Sequence, residues 1–443
     1  MRRIAVVGSG ITGLAAAWRL ADRAQVTLFE ADARFGGHAH TVDLTLDGIR
    51  HGVDTGFLVF NHRTYPQLVR LFETLGVRTA ASDMSFSVQM RGGSGSAPGH
   101  DLEWSGSDLN SVFAQRSNLL RPRFWRMLRD LMRFNRLCTT LAQQGTDAEL
   151  QEDIGSFLDR HGFGDAFRAW YFLPMIGCIW SCPTAQMLRF PVGTMIRFCH
   201  NHGLIQVSNR PQWHTVAGGS KHYVQAMLAR IPDARASTPV RGVRRDTHGP
   251  LPVHVRTDHG VERFDHIVFA SHSDQTLALL DDATDGERAV LGAIRYHANR
   301  AVLHTDETML PRRRRAWAAW NYERAADETS EGAGVCLHYL INRLQPLPWE
   351  RPVVVSLNPA REPEAKHVHG EWSYAHPVFD GDAIRAQQRL PALQGQKHSW
   401  FAGAWTRYGF HEDGLMSANA AVDDLLARIE HGADDTRAVR VAA

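Results

Sequence analysis

The stretch VVGSGITGLAAAWRL, Val6 to Leu20, passes from an apolar run through three glycines into an alanine-rich run. Ile4–Val7 reads as a buried strand and Leu14–Leu20 as the helix that follows it. Gly8, Gly10 and Gly13 between them have the spacing G-x-G-x-x-G. In that spacing the first glycine permits a tight turn, the second lets a pyrophosphate approach the backbone, and the third lets helix pack on strand. Ile11 and Thr12 lie in the turn ahead of that helix, and a helix start offers free N–H groups and a positive dipole end to phosphate. Such a motif alone is weak, since a glycine turn needs no ligand. It gains weight from Gln25–Phe29, a second strand that ends at Glu30. A carboxylate about 20 residues beyond the turn is placed to hold ribose hydroxyls. The combination predicts a Rossmann-like α/β domain and a bound dinucleotide.

The rest of the chain bounds what this domain belongs to. A length of 443 residues exceeds one ordinary core, so two domains are expected. With 44% hydrophobic and 22% charged residues the composition is that of a folded globular protein. A net charge of +2 gives no global bias toward nucleic acid, and no apolar run is long enough to span a bilayer. Arg2 and Arg3 precede an apolar run that enters a glycine turn rather than a cleavage site, so no secretory signal is expected. Five cysteines in a chain of this size fit a reducing compartment, hence a cytoplasmic location.

Beyond Glu30 and Ala31 the chain reads ADARFGGHAHTVDL, with Arg34, Gly36 and Gly37, and then HGVDTGFLVFN, with Asp54, Gly56 and Phe57. Two glycines just past the acid let the chain fold tightly over a ligand, an extension a nicotinamide enzyme does not need. This stretch resembles the N-terminus of the flavin-containing amine oxidase superfamily, which also holds phytoene desaturases and protoporphyrinogen oxidases. The usual family pattern is an acid, a few residues, then R-x-G-G-R, and His38 stands here in place of the second arginine. The resemblance continues through TVAGGSKHYVQAMLARI (Thr215–Ile231) and STPVRGVRRD (Ser237–Asp246), where it places the backbone of Val243 against adenine. It ends in SWFAGAWTRYGFHEDGLMSANAAVDDLLARI (Ser399–Ile429), which reads as a helix from Leu415 onward and where Gly403, Asp413, Gly414 and Leu415 match the C-terminal flavin motif. A helix start at the pyrimidine end of a flavin stabilises negative charge there. Ala404 stands where the family usually has an acid at the ribityl chain.

The resemblance therefore implies FAD, held without a covalent link, in a discontinuous domain of residues 1–60, 210–290 and 395–443. An α+β substrate domain is inserted as residues 61–209 and 291–394. No second nicotinamide site is expected, because the other glycine-rich run, RGGSGSAPGH (Arg91–His100), reads as a polar loop.

The chemistry is less legible. No Ser-His-Asp set or metal motif stands out. In RYHANRAVLHTD (Arg295–Asp306) the residue nearest to the lysine that many amine oxidases use is Arg300, which cannot act as a base but can anchor a water or an anion, or simply lie on the surface. Lys221 and His411 lie beside cofactor elements and complete the catalytic candidates. Trp405 and Tyr408 are candidates for aromatic walls of the flavin, or for packing. Cys178, Cys182 and Cys199, with His200 and His202, do not have a zinc spacing and read as buried thiols in an apolar segment; no metal is expected.

FAQRSNLLRPRFWRMLRDLMRFNRL (Phe113–Leu137) interleaves seven arginines with aromatic and apolar residues. It reads either as a helix at an anionic membrane surface, which would make the chain peripheral to the inner face, or as a core-packed helix with a solvated basic face. Nothing else in the chain supports nucleic-acid binding. The block Leu173–Ser220, with AVLHTDETMLP (Ala301–Pro311) and WAAWNY (Trp317–Tyr322), resembles a bacterial group of predicted NAD/FAD-binding proteins associated with cyclopropane-fatty-acyl synthase-like methyltransferases. That resemblance implies a lipid-like acyl substrate losing two hydrogens as hydride to flavin N5 and a proton. An amine oxidase and a flavin-stabilised isomerase or non-redox protein are the alternatives.

Overall fold

The computed structural model describes all residues except 92–100, 147–149, 182–183, 207–209, 247–248, 325–334 and 442–443. The glycine-rich run after Arg91, and Cys182, therefore lie outside the described residues.

The apolar runs near the N-terminus build a five-stranded parallel sheet in the order Asp233–Arg235, Gln25–Phe29, Arg3–Val7, His266–Phe269, Ser399–Phe401. A parallel sheet is buried on both faces, which is why IAVV and HIVF carry no alternation. Successive side chains still point to opposite sides. Ile4, Val6 and Leu28 join one core with Leu14, Ala17 and Leu20 of the helix Ile11–Leu20. Ala5, Val7, Phe29, Phe269 and Phe401 join another with Val243 and Val255 of a three-stranded antiparallel sheet, Val240–Arg245, Val253–Thr257 and Gly260–Phe264. In that second core the Arg245 side chain is fully buried and donates to Glu287 through Nη2 at 2.9 Å and to Asp282 through Nε at 3.0 Å.

The helix after the glycine turn begins at Ile11, directly after Gly10, rather than at Leu14. The C-terminal helix begins at His411, four residues ahead of Leu415. Between the glycine-rich segments lies a hairpin, Thr41–Leu46 with Ile49–Asp54. It is closed by Asp47-Gly48, both at positive φ (51° and 78°), the turn that matches strand twist.

A second sheet has seven strands in the order Val368–Val378, Arg295–His304, Val354–Leu357, Cys336–Leu340, Trp320–Arg324, Phe86–Met90, Leu102–Ser105. All its pairs are antiparallel except Trp320–Arg324 with Phe86–Met90. Helices occupy much of 109–201 beside it, the longest being Pro122–Gln144. That helix buries Phe124, Met127, Phe134 and Cys138 on one face and exposes Trp125 and Met132 on another. Among the described residues no helix is long and apolar enough to cross a membrane.

Candidate functional site

The site is built where the parallel strands end. Gly8 sits at φ +97°, and its N–H donates to Phe29 O at 2.8 Å. A Cβ on Gly13 would stand 1.7 Å from Gly8 O, so the helix packs on the turn at a separation only glycine permits. A Cβ on Gly10 would meet nothing within 4 Å. The first and third glycines thus satisfy the protein's own packing, while the second faces open space. Gly10 caps the helix Ile11–Leu20 without a side-chain bond, and no acid stands in the first turn. The turn therefore presents free N–H groups to an anion.

Glu30 is held at this turn, one oxygen accepting from Ser9 N at 2.9 Å and the other from Asp32 N at 2.9 Å. Gly36 (φ +113°) and Gly37 (φ +56°) fold the chain back, and a Cβ on Gly37 would lie 3.1 Å from Gly10 Cα. Arg34 fastens this second turn through Nη1 to Gly37 O at 2.8 Å, and Ala31 is exposed beside it. The C-terminal helix closes the third side. A Cβ on Gly414 would fall 2.7 Å from Thr12 Oγ1 and 3.0 Å from Ile11 Cγ2, so two helix starts meet. Asp413 accepts from Phe410 N at 3.0 Å, and burial raises its carboxyl to about 6. Leu415 is buried behind it. Gly403 N donates to Ser417 Oγ at 3.1 Å, which ties the last strand's end to the same helix. Val243 is buried on the far side of the sheet.

A wall of histidine and tyrosine faces these turns. The ring of His38 lies 5.0 Å from Tyr374, 5.4 Å from His376 and 6.3 Å from His272. Its buried Nε2 has no hydrogen-bond partner among the described residues. Burial, then the neighbouring His376 and His272, hold His38 well below the ordinary histidine value. Burial brings His376 to about 4 and His411 to about 3, and lowers His272. At neutral pH the wall is uncharged. His40 reaches Tyr374 Oη (2.9 Å) and Thr55 Oγ1 (2.8 Å). His411 stacks on Phe57 at 3.7 Å, with Nε2 3.1 Å from Tyr223 Oη. Gly56 lets the chain pass His38, whose carbonyl would lie 2.2 Å from a Cβ there.

Several expected roles are corrected by the contacts. All hydrogen bonds described for the Asp54 carboxylate go to protein: Thr41, Ser220 and Gln345 donate to it, and burial raises it to about 6. It ties the hairpin to the turn ahead of Lys221 through Ser220. Arg300 is not at the strand ends but half-exposed, its guanidinium held by Glu362 and Glu371. Lys221 pairs with Asp43 on the hairpin strand Thr41–Leu46. Trp405 packs in the second core, with Nε1 donating to Ser271 O. Tyr408 packs on Phe198. Cys178 and Cys199 are buried and separate thiols.

His272, Tyr374 and His376 were not visible as a site in the sequence. The period-two pattern Trp372, Tyr374, His376 marks one face of an edge strand, but which face meets the glycine turns depends on the fold.

The open face at Gly10, the uncapped helix start and the unpartnered His38 nitrogen fit an FAD. Residues 11–311 match the family described as flavin containing amine oxidoreductase. The chain belongs to that family. Membership of that family makes it an FAD-binding flavoprotein. Protoporphyrinogen oxidase 2, chloroplastic/mitochondrial, of Arabidopsis thaliana is 28% identical over 183 residues, which are 40% of this chain and 32% of that protein. The match thus spans about a third of the curated relative's length. Two solved structures share the fold. Cyclohexylamine oxidase from Brevibacterium oxydans superposes with a TM-score of 0.67 at 14% identity, over 97% of this chain and 99% of that one. A CLA-producing fatty acid isomerase from P. acnes does so with 0.65 at 15% identity, over 96% and 98%.

The contacts of Arg300 carry a prediction for this flavoenzyme. Its pairs are exposed, and exposed pairs contribute little, so Arg300→Ala is expected to change the rate of flavin reduction by less than about twofold. A loss of an order of magnitude in stopped-flow reduction would return Arg300 to the reaction.

Proposed function

We propose that this flavoenzyme removes two hydrogens from a hydrophobic, lipid-like substrate, a modified fatty-acyl chain of a phospholipid being the preferred form, taken from an anionic membrane surface. On this reading residues 1–60, 210–290 and 395–443 hold the cofactor, and 61–209 and 291–394 hold the substrate. Gly8, Gly10, Gly13 and the start of the helix at Ile11 hold the pyrophosphate, Glu30 the ribose, and the helix start at Asp413–Leu415 the flavin end. Bound FAD supplies the acceptor for hydride at N5.

One observation carries the reading. Leu109, Leu119, Leu120, Trp125 and Met132 are 78%, 45%, 88%, 49% and 50% exposed, five of the eight exposed large hydrophobics described. Leu119 and Trp125 are joined, with Trp125 Nε1 donating to Leu119 O at 2.9 Å, and Phe113 lies 5.3 Å from the Trp125 ring. Arg116, Arg123, Arg126 and Arg129 are exposed around them, and the single acid of the segment, Asp130, is buried. Apolar side chains rimmed by arginine suit the boundary of an anionic bilayer. The helix Pro122–Gln144 has a core face, and its exposed basic-aromatic face supports the membrane-surface reading. The uncharged His38–His272–His376–Tyr374 wall adds support, because it offers an apolar substrate no charge to desolvate and an ammonium no carboxylate.

The amine-oxidase reading is favoured by the cyclohexylamine oxidase fold, and the isomerase reading by the fatty acid isomerase fold. Anaerobic mixing separates all three. Loss of flavin absorbance near ~450 nm with phospholipid vesicles, with new unsaturation in the lipid, supports dehydrogenation. Bleaching by amines alone sinks it, and double-bond migration without net reduction makes the chain an isomerase. In the same vesicles Leu120→Asp and Trp125→Asp are each expected to weaken binding by about tenfold or more, since each removes the burial of a large apolar side chain. Unchanged sedimentation with phosphatidylglycerol vesicles would remove the membrane from the proposal.

A further inference from the structure

Three ligand-type side chains meet on one face of the seven-stranded sheet, a different sheet from the one that carries the first glycine turn. Cys336 and His338 are two apart on the strand Cys336–Leu340, so both point to the same side. Glu323 lies directly across from Cys336 on the neighbouring strand. All three side chains are buried, and their ligand atoms lie within 4.8 Å of one another.

The hydrogen bonds around them are arranged in a particular way. His338 Nε2 is 2.8 Å from Glu323 Oε2 and 3.5 Å from Cys336 Sγ. One ring nitrogen thus faces both a carboxylate oxygen and a cysteine sulfur. The far side of every group is held by something else. His338 Nδ1 lies 2.6 Å from Ser356 Oγ, which also receives His304 Nε2 at 2.7 Å. The other oxygen of Glu323 lies 3.3 Å from Arg91 Nε. Cys336 Sγ accepts from Ala360 N at 3.4 Å. Each of the three is oriented from behind and aimed at a common point.

We propose that Glu323, Cys336 and His338 bind a divalent cation of the zinc class. Thiolate with imidazole selects zinc over the oxygen-loving cations. With bonds of about 2.3 Å to sulfur and about 2.0–2.1 Å to nitrogen, a tetrahedral centre sets sulfur and nitrogen about 3.5 Å apart, the separation seen here. The Glu323–His338 contact has to open by roughly half an ångström. Metal at Nε2 leaves a proton on Nδ1 to donate to Ser356, the outer-sphere bond that ligating histidines usually make. Sγ and Nε2 bind as deprotonated groups, so their protons leave to solvent as the cation enters. The fourth position is left for water. Tyr374 of the histidine–tyrosine wall pairs with Asn299, and His304 beside Ser356 lies five residues further along the strand Arg295–His304, roughly 16 Å, so this centre is separate from that wall.

The test is made on the full-length flavoenzyme. After dialysis, the wild-type chain is expected to carry about one zinc. With zinc stripped and Co²⁺ added, it is expected to show the near-ultraviolet absorption of a cobalt–thiolate bond. Cys336→Ser is expected to lose that band, and Cys199→Ser, a buried thiol elsewhere, to keep it. Ser356→Ala leaves the three ligands in place and is expected to weaken Co²⁺ binding by about 10- to 100-fold. Should Cys336→Ser fail to fold, the wild-type spectrum and the Ser356→Ala affinity decide. Failure of the wild-type chain to take up either metal, a band that survives in Cys336→Ser, or an unchanged affinity in Ser356→Ala overturns the proposal, leaving a buried Glu323–His338 ion pair.

Discussion

Gly13→Ala is expected to yield no folded yellow protein, while Gly10→Ala is expected to fold normally and purify colourless. The added methyl at position 13 would stand 1.7 Å from Gly8 O and 2.8 Å from Gly8 C. Both are backbone atoms of a turn pinned to Phe29 O, so the helix Ile11–Leu20 has to lift from the sheet and expose Leu14, Ala17 and Leu20. Overpacking of a core commonly costs about 1–3 kcal/mol, and a clash with fixed backbone lies at or beyond the top of that range. At Gly10 the methyl meets nothing within 4 Å, and the backbone there (φ −62°, ψ 179°) suits alanine. The loss of a glycine N-cap costs less than about 1 kcal/mol. The methyl would, however, occupy the approach of the pyrophosphate, and FAD affinity should fall by an order of magnitude or more. The melting temperature of the apoprotein and the ratio of flavin to protein absorbance read the two effects separately. A Gly10→Ala protein with wild-type flavin content would move the cofactor away from this turn.

The second large effect is in the other core. Arg245→Met leaves Glu287 buried without its main partner, and breaking such a pair costs about 3–5 kcal/mol. Arg245→Met with Glu287→Leu removes both charges and should recover most of that loss, because well-packed apolar residues often replace a buried pair without penalty. Urea unfolding midpoints of the two variants give the comparison, and equal destabilisation would mean that the side chains pack rather than pair. A pH dependence accompanies the pair. Burial opposes ionisation of Glu287, but the hydrogen bonds from Arg245 and Thr284 outweigh it and hold the carboxyl below its ordinary 4.5. Its contribution is therefore complete above that value and is lost as the pH falls through the lowered one. As the pH falls below about 4.5 the wild-type chain should progressively lose this part of its stability, and the double variant should not.

Much of the dinucleotide-binding half was legible because its determinants are local. The turn around Gly8–Gly13, the strands Arg3–Val7 and Gln25–Phe29 and the acid at Glu30 lie within about 30 consecutive residues, the size of one βαβ unit. Helix starts were placed late, at Leu14 and Leu415 instead of Ile11 and His411, because a start is set by where the turn ends and not by where the apolar run begins. Arg300, Lys221 and Trp405 were read from their neighbours in the chain, but their partners Glu362, Asp43 and Ser271 are each far away in sequence.

What the sequence by itself determined is the glycine turn, its strand, its helix and its carboxylate, and through them the cofactor. Glycine is required there by steric contacts between residues five apart, which no later packing can relax. What only the tertiary structure decided is the neutral wall of His38, His272, Tyr374 and His376, and the meeting of Glu323, Cys336 and His338. Both depend on register between strands and on the docking of segments separated by up to some hundreds of residues. A one-residue slip of any of those strands would turn the same side chains to the opposite face.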